Sequence, residues 1–333
     1  MAEFSSADPN AYVGLAMQTA QGTPATAQAK FRFAKYISGM QAAPDITVVD
    51  MREGGDGLDW GFTYKQRNMV RGTLVVNARS EIAGQVLAAA LGGATWDGGS
   101  APAEHRFHGN HASFPWMTMH MGHPGTDLIT FMSDLRFTGL TIEGGPGGVP
   151  IRVTAPFIGV TFGASGPAVA PTYIAEEPFL YHVGPSYLLD GAADPSIESW
   201  RYDMALGIEE LQAQSVNLDT VVIQNRDANV QAVRRYQSST LWKKIAYCGG
   251  VAPSSGIATG ALKTTNQVPG AAGAAIRLME LNAPLLTYRG NQLTELDPDG
   301  RTVRETITAK ALRGASGAIF VTLRNAHASA YGP

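Results

Sequence analysis

Residues 70–93 read VRGTLVVNARSEIAGQVLAAALGG, and this stretch predicts a strand that runs directly into a helix. Residues 72–78 alternate between two faces, which is the period of a half-buried strand. Ser80 suits the N-cap of the following helix, and Glu81 places a negative charge in the first turn, where the helix dipole favours it. Apolar residues then recur at helical spacing until a Gly-Gly pair ends the helix.

Residues 218–250, LDTVVIQNRDANVQAVRRYQSSTLWKKIAYCGG, repeat the same design. We align Ser80 with Asp227 as the two helix caps, so that the second strand ends just before the second cap. The second helix is expected to be longer, with its basic pairs at 234–235 and 243–244 on the solvated face, and it too ends at a Gly-Gly pair. Matching strand faces, caps and stops indicate a duplicated unit.

The bulk composition excludes several classes of protein. The chain has 333 residues, of which 44% are hydrophobic, so it can form one large domain or two ordinary domains with real cores. Charged residues make up only 16% while glycine and proline are plentiful, which is typical of a β-rich protein with many turns. The formal net charge of −3 excludes a strongly basic surface for holding nucleic acid.

Redox and targeting signals point to an intracellular setting. Cys248 is the single cysteine, which excludes an intrachain disulfide. The N-terminus shows no signal segment, and no apolar run reaches the roughly 18 residues of a membrane span. We therefore expect a soluble protein without membrane insertion, made and kept in a reducing compartment.

The rest of the chain reads as short strands separated by Gly- and Pro-rich turns. The small-residue segment 164–171, ASGPAVAP, is the expected boundary between two similar halves. We predict an N-terminal arm at 1–29, a first domain at 30–165 and a second domain at 166–333. Long loops are expected at 52–69, 207–217 and 251–272. The predicted fold class is mainly β (α+β), with a helix beside an antiparallel sheet in each half.

Candidate catalytic and metal-binding groups do not form a convincing site. Five of the seven histidines cluster, at His105, His108, His111, His120 and His123. Residues three apart in an extended chain point to opposite faces, and only Glu104 is interleaved as another ligand, so a His- and Met-containing surface is favoured over zinc. Glu209 and Glu210 are interpreted as a solvated or subunit-facing acidic loop. No cofactor, metal or catalytic residue is predicted.

Three segments match the pattern of a known family: VGLAMQTAQGTPAT at 13–26, RGTLVVNAR at 71–79, and FTGLTIEGGPGGVPIRVTAPFIG at 137–159. They resemble the opening arm with its Gly-Thr-Pro turn, the strand–helix unit and the closing hairpin of the tail tube (major tail) proteins of long-tailed, siphovirus-type bacteriophages. The resemblance covers effectively the whole chain, although the second half departs from it in its longer helix and its 251–272 loop.

This resemblance implies two tandem tail-tube-like β-sandwich units, each with a flanking helix, whose inner sheets form a multi-subunit β-barrel. Closing the sheet between subunits would remove the edges that otherwise promote aggregation. It implies a structural virion protein, not an enzyme, that polymerises as stacked rings into the hollow phage tail tube through which DNA is delivered to the host. Two units per chain imply a trimeric ring with pseudo-six-fold symmetry, whereas one unit per chain would need six copies.

The resemblance also implies a set of partners. Besides further copies of itself, these are a tape-measure protein, tail terminator and distal tail proteins, and transiting double-stranded DNA that is bound without sequence specificity. The protein is expected in the virion tail, after assembly in the host cytoplasm.

Polar strand faces are the candidates for the channel wall. The choice rests on which alternate residues of each strand face the lumen, and the opposite choice would place the other face there. Candidate lumen-facing residues are Thr73, Asn77, Arg152, Thr154, Thr220, Gln224, Thr306 and Thr308. Hydroxyl and amide groups suit a conduit, because a strongly cationic wall would trap DNA phosphates. Ring-to-ring contacts are expected from the arm at 12–26 and the loop at 52–69. Candidate inter-ring residues are Trp60, Phe62, Tyr64, Lys65, Arg67, Glu209 and Glu210.

Three other functions stay open. The inner tube of a contractile tail or a related injection system would share the fold. A metal-dependent hydrolase would use the histidine cluster. A carbohydrate-binding β-sandwich module would use stacking surfaces from Trp60, Trp96, Trp116, Trp200 and Trp242.

Overall fold

A computed structural model describes the following stretches of the chain: 11–35, 40–51, 62–92, 95–97, 102–108, 114–123, 128–145, 149–163, 179–181, 187–212, 217–252, 254–268, 277–293, 303–314, 317–327 and 329–332. Within them the strands form one large antiparallel sheet that is not closed into a barrel, so the mainly β fold class is confirmed. Neither α-helix in these stretches is long and apolar enough to cross a membrane.

The first half of the described chain contains ten strands and one α-helix. They are β1 (Tyr12–Met17), β2 (Arg32–Lys35), β3 (Gln41–Met51), β4 (Phe62–Asn77), α1 (Ser80–Leu91), β5 (Thr95–Trp96), β6 (Ala103–His108), β7 (Met117–His123), β8 (Leu128–Phe137), β9 (Gly139–Gly144) and β10 (Arg152–Gly163). Hydrogen-bonded neighbours follow the order β2–β1–β7–β8–β10–β4–β3, and β9 continues β8 along the same edge of β10.

The second half contains eight strands and one α-helix. They are β11 (Tyr187–Leu189), β12 (Ala192–Ala193), β13 (Ile197–Leu211), β14 (Thr220–Arg235), α2 (Thr240–Tyr247), β15 (Thr259–Gln267), β16 (Leu278–Leu293), β17 (Arg304–Ala311) and β18 (Phe320–Asn325). Neighbours follow the order β12–β11–β15–β16–β17–β14–β13, and β18 lies beyond β17 along the same edge of β16.

Two ladders join the halves. β9 pairs antiparallel with β13, and β18 pairs antiparallel with β6. The predicted boundary segment at 164–171 lies outside the described residues.

Helix α1 follows its sequence prediction closely. It begins at Ser80, with Arg79 rather than Ser80 in the N-cap position, and Glu81 lies in the first turn. It ends at Gly92, whose φ of 88° is a left-handed conformation that glycine adopts without steric cost. The helix is almost fully buried, because β1, β8 and β10 contact it together with β6 and β18.

The predicted alignment of the second strand–helix unit is wrong. Asp227, aligned with Ser80 as a cap, lies inside β14, which continues to Arg235 before α2 begins at Thr240. Ala228, Val230, Ala232 and Arg234 are buried and alternate with exposed or half-buried residues. A period of two along 228–234 is the pattern of a strand, and it overrides the helical spacing on which the alignment relied.

The three predicted loops contain regular structure. β4 starts at Phe62 and pairs with β3, so the part of the predicted 52–69 loop that is described, 62–69, is strand, and residues 52–61 lie outside the described chain. β13 extends to Leu211, and β15 occupies 259–267. The predicted arm at 12–26 does have a turn at Gly22, but its first part is β1, whose six residues are all buried.

Candidate assembly surfaces

One face of the central sheet carries a continuous polar row. Antiparallel partners point to the same face, whereas consecutive residues of a strand point to opposite faces. A buried row of directly paired residues consists of Val76, Val153, Ile142, Tyr202, Val230, Ala309 and Tyr288. The adjacent residue on each strand forms a polar row, Asn77, Arg152, Glu143, Arg201, Gln231 and Thr308. We call the sheet surface that carries the second row the polar face.

The polar face brings together the residues predicted for a channel wall. By register it holds seven of the eight, which are Thr73, Asn77, Arg152, Thr154, Thr220, Thr306 and Thr308. The eighth, Gln224, is the unpaired residue of a bulge in the β13/β14 ladder, and its Nε2 donates to Glu209 Oε2 at 2.6 Å. Their sharing one face is a property of the fold, and their facing a channel stays a prediction.

Charged groups on the polar face occur in opposite-sign pairs. Arg201 Nε donates to Asp203 Oδ2 at 2.6 Å, and Arg201 Nη1 lies 3.6 Å from Glu143 Oε2. Lys310 Nζ lies 2.9 Å from Asp227 Oδ1, and the hydrogen bond from Lys310 lowers the pKa of that carboxyl below its usual value. These cations are therefore matched by carboxylates within the same chain.

One backbone hydrogen bond defines which residue pairs of the β9/β13 ladder are hydrogen-bonded and which are not. Leu206 N donates to Thr138 O at 2.9 Å, so the even-numbered residues of β13 direct their N–H groups towards β9. Thr141 and Asp203, which lie directly opposite each other, therefore form a non-hydrogen-bonded pair with close side chains. Thr141 Oγ1 accordingly donates to Asp203 Oδ1 at 2.6 Å.

The β13/β14 hairpin docks its tip onto the first half of the chain. Leu218 and Val221 are buried in an apolar cluster with Met69, Trp116 and Ile158. Polar contacts surround this cluster: Arg136 Nη1 donates to Val221 O, Arg71 pairs with Glu210, and Asn68 Nδ2 donates to Asn217 Oδ1 at 2.8 Å.

The β3/β4 hairpin, by contrast, leaves apolar side chains in solvent. Ile46, Val48 and Tyr64 are 47%, 55% and 43% exposed. Within the described chain β3 pairs with β4 alone, so its other edge is open. The same is true of the end of β16, because β15 pairs only as far as Thr287 and leaves 289–293 uncovered on that side. Open edges and exposed apolar groups are features that assembly would cover.

The predicted inter-ring residues are only partly visible in this hairpin. Trp60 lies outside the described residues, and Phe62 and Arg67 are described through their backbone pairing with β3 alone. Tyr64 and Lys65 are exposed on β4. Glu209 and Glu210 belong to β13, where they contact Gln224 and Arg71, and not to the acidic loop that was expected.

A buried ionic cluster was missed by sequence reasoning. Arg234, expected on a solvated helix face, is 7% exposed on β14. Its Nη1 donates to Asp194 Oδ2 and its Nε to Glu305 Oε2, each at 2.7 Å, and Glu305 is 0% exposed. The signal was the alternation at 228–234, which assigns Arg234 to the buried face.

The histidines do not assemble into a metal site within the described residues, where no group of three potential ligands converges. His105 and His120 are fully buried, so the expected surface around a loop is wrong for these two. Burial lowers the pKa of His120, which packs against Phe31 and Phe131. His111 lies outside the described residues, and only the backbone of His123 is described.

The four tryptophans that the structure describes do not share a stacking surface, and Trp60 lies outside the described residues. Trp116 and Trp200 are buried in two different apolar clusters. Trp96 is partly exposed on β5, and Trp242 is half-buried on α2, where its ring packs against Tyr247. This dispersal gives a carbohydrate-binding function no support.

Comparison with known proteins identifies the family. The profile described as phage tail tube protein matches residues 9–285 of the chain, which is most of its length. The chain belongs to the phage tail tube protein family. No curated protein matches the chain. Membership makes it a structural protein of the bacteriophage tail that self-assembles into a tube, as the sequence resemblance implied.

Proposed function

We propose that this tail tube protein is a two-unit, non-enzymatic subunit of a siphovirus-type tail, and that three copies close a pseudo-six-fold ring. Rings stack into a tube around a central bore, the polar face lines that bore, and DNA passes through it. The observation that carries the proposal is the β9/β13 ladder: one chain already contains a junction of the kind that would link its free edges to those of other copies.

A common strand order supports the two tandem units. The order β2–β1–β7–β8–β10–β4–β3 in the first half has the counterpart β12–β11–β15–β16–β17–β14–β13 in the second. In both halves a long hairpin leads into the α-helix, as β3/β4 into α1 and β13/β14 into α2. Agreement in the spatial order of seven neighbouring strands is expected of a duplicated unit.

Irregularities in the ladders support the same correspondence. Gln66 and Gln224 are both bulged, and each is the fifth residue of a sixteen-residue strand, β4 or β14. The β7/β8 and β15/β16 ladders also share a register shift, between Met117 and Met119 in one and between Gly260 and Leu262 in the other. Bulges are positional features that related units keep.

The correspondence specifies the register of the proposed ring closure. The bulge at Gln66 lies opposite the step from Thr47 to Val48 in β3, and the bulge at Gln224 lies opposite the step from Gly207 to Ile208 in β13. Thr47 therefore corresponds to Gly207, and Ala43, four residues earlier, corresponds to Asp203. Thr141 lies opposite Thr154 on β10, and Gln292 lies opposite Thr306 on β17, so Gln292 is the counterpart of Thr141. The open end of β16 in one copy would therefore pair with β3 of the next, with Gln292 opposite Ala43.

Pro44 lies on the open edge of β3 that the proposed ring closure would use. By analogy with β13, the even-numbered residues of β3 direct their backbone nitrogens away from β4, so the missing N–H of Pro44 does not interrupt pairing with β4. It does leave one hydrogen bond unmade in the proposed pairing with β16 of the next copy. A proline on an open edge also discourages uncontrolled strand addition.

Replacing Ile46 and Val48 with aspartate is expected to abolish tube formation while the subunit stays folded. The two side chains are exposed in a single copy, so the free energy of unfolding should change by no more than about 1 kcal/mol for the two substitutions together. Their counterparts by register, Leu206 and Ile208, lie on the hairpin that docks onto the other unit. Thermal unfolding and negative-stain microscopy would measure the two effects. Val251→Asp, at a 97% exposed site outside the hairpin, is the matched control and should leave tubes intact.

Electron microscopy of the purified protein tests the function itself. Regular hollow filaments whose layers contain three copies are the expected result. Particles that never form filaments would contradict the tube, and six copies per layer would contradict the two-unit ring.

A further inference from the structure

The polar face carries a compact ion-pair set at the β9/β13 junction. It consists of Arg201 with Asp203, two residues along β13, and Glu143, directly opposite on β9. Glu143 also lies opposite Arg152 on its other side, so one carboxylate lies between two arginines on neighbouring strands. The hydrogen bond from Thr141 Oγ1 holds Asp203 in place.

This arrangement contributes little to folding. The Arg201 side chain is 47% exposed, and ion pairs at such solvated sites stabilise a protein by about 0–1 kcal/mol. The hydrogen bond to Asp203 nevertheless raises the pKa of Arg201, so its charge is permanent and locally compensated. Its main consequence is for what else the guanidinium can bind.

At the proposed ring-closing junction, Arg201 and Asp203 have uncharged counterparts. The counterparts of Arg201, Asp203 and Thr141 are Gln41, Ala43 and Gln292 by the register derived above. Arg201, which is accompanied by two carboxylates, is thus a cation on β13, whereas its counterpart on the open edge of β3, Gln41, carries an uncharged amide.

We propose that Glu143 and Asp203 mask Arg201 from phosphate groups, so that double-stranded DNA slides over the polar face without being held. The inference rests on the proposed function, which places DNA against this face. An uncovered guanidinium would bind a phosphate oxygen and release counterions, which is the interaction that retains DNA on a protein. Asp203 occupies the Nε donor, Glu143 lies 3.6 Å from Nη1, and together the two carboxylates offset the positive charge.

The test compares the affinity of unassembled subunits for a short double-stranded DNA at about 50 and 200 mM salt, by fluorescence anisotropy. Glu143→Gln with Asp203→Asn should raise the affinity at least about tenfold at low salt, the scale of one charged hydrogen bond, and steepen its salt dependence. Adding Arg201→Gln should remove most of this gain, the remainder coming from Arg152, which also lies beside Glu143. Asp50→Asn with Asp219→Asn, which changes the net charge equally at two other exposed sites, is the matched control and should change it little.

The inference would be overturned if Glu143→Gln with Asp203→Asn bound DNA no more tightly than the control variant. It would also be overturned if adding Arg201→Gln did not reduce the gain in affinity. Because binding is measured on subunits and tube formation is scored separately by microscopy, failure here leaves the tube intact. Failure of the wild-type protein to form tubes would instead remove the proposed function.

Discussion

Ala43→Cys with Gln292→Cys is expected to link neighbouring copies into a covalent series that stops at the trimer. The ring-closing register puts these residues opposite each other in a non-hydrogen-bonded pair, whose close side chains suit a disulfide. The exposed Cys248 should first be replaced by serine, so that it forms no competing link. Non-reducing electrophoresis after mild oxidation would show monomer, dimer and trimer bands, the last being a closed ring.

Two controls make the cross-link specific. Thr141→Cys with Asp203→Cys, the internal counterpart, should form a disulfide within one chain and no ladder of bands. Ala43→Cys with Asn291→Cys should not link copies, because a shift of one residue turns the side chain to the other face. A ladder that continues to six copies would contradict two units per chain, and efficient linking by the shifted pair would contradict the register.

Arg234→Met is expected to lower the free energy of unfolding by about 3–5 kcal/mol. Methionine fills a similar volume but leaves Asp194 and Glu305 buried without their cation. Each uncompensated carboxylate must then stay charged at a desolvation cost or take up a proton. Urea unfolding would measure the loss as a lower midpoint with an unchanged slope.

Arg235→Met is the matched control for this variant. The neighbouring side chain is 57% exposed and lies 3.7 Å from Glu198, so its loss should cost less than about 1 kcal/mol. Adding Glu305→Gln to Arg234→Met should recover part of the stability, because one buried charge is removed. Equal effects of Arg234→Met and Arg235→Met would show that the buried cluster contributes nothing special.

The cost of Arg234→Met should also shrink in acid. Burial alone would raise the pKa of Asp194, but hydrogen bonds from Ser196 and Arg234 lower it below the usual value. A carboxyl with a lowered folded-state pKa stabilises the protein above its unfolded pKa of about 4, and this contribution is lost as pH falls through the folded value. The difference between wild type and variant should therefore be largest near neutral pH and smaller below about pH 4. A difference that is constant with pH would show that Asp194 is not coupled to Arg234.

Local patterns predicted the first strand–helix unit because its signals all agree. Alternation along 72–78 and apolar spacing after Ser80 describe β4 and α1, and the glycine at 92 has the left-handed conformation that ends the helix. The same reasoning failed at 227–235, where Val230 and Val233 satisfy a helical spacing while 228–234 satisfies a strand. Pairing with β13 on one side and β17 on the other decides that choice, and β17 is about 70 residues away along the chain.

Composition and the alternation along each strand were enough to predict the β-rich class and which residues of a strand share a face, and three sequence segments were enough to indicate the family, because these signals are local. Tertiary structure alone decided which strands pair across the halves, that Arg234 is buried between Asp194 and Glu305, and which edges stay open. Those properties depend on contacts between residues far apart in the chain, whose free energies no local pattern records.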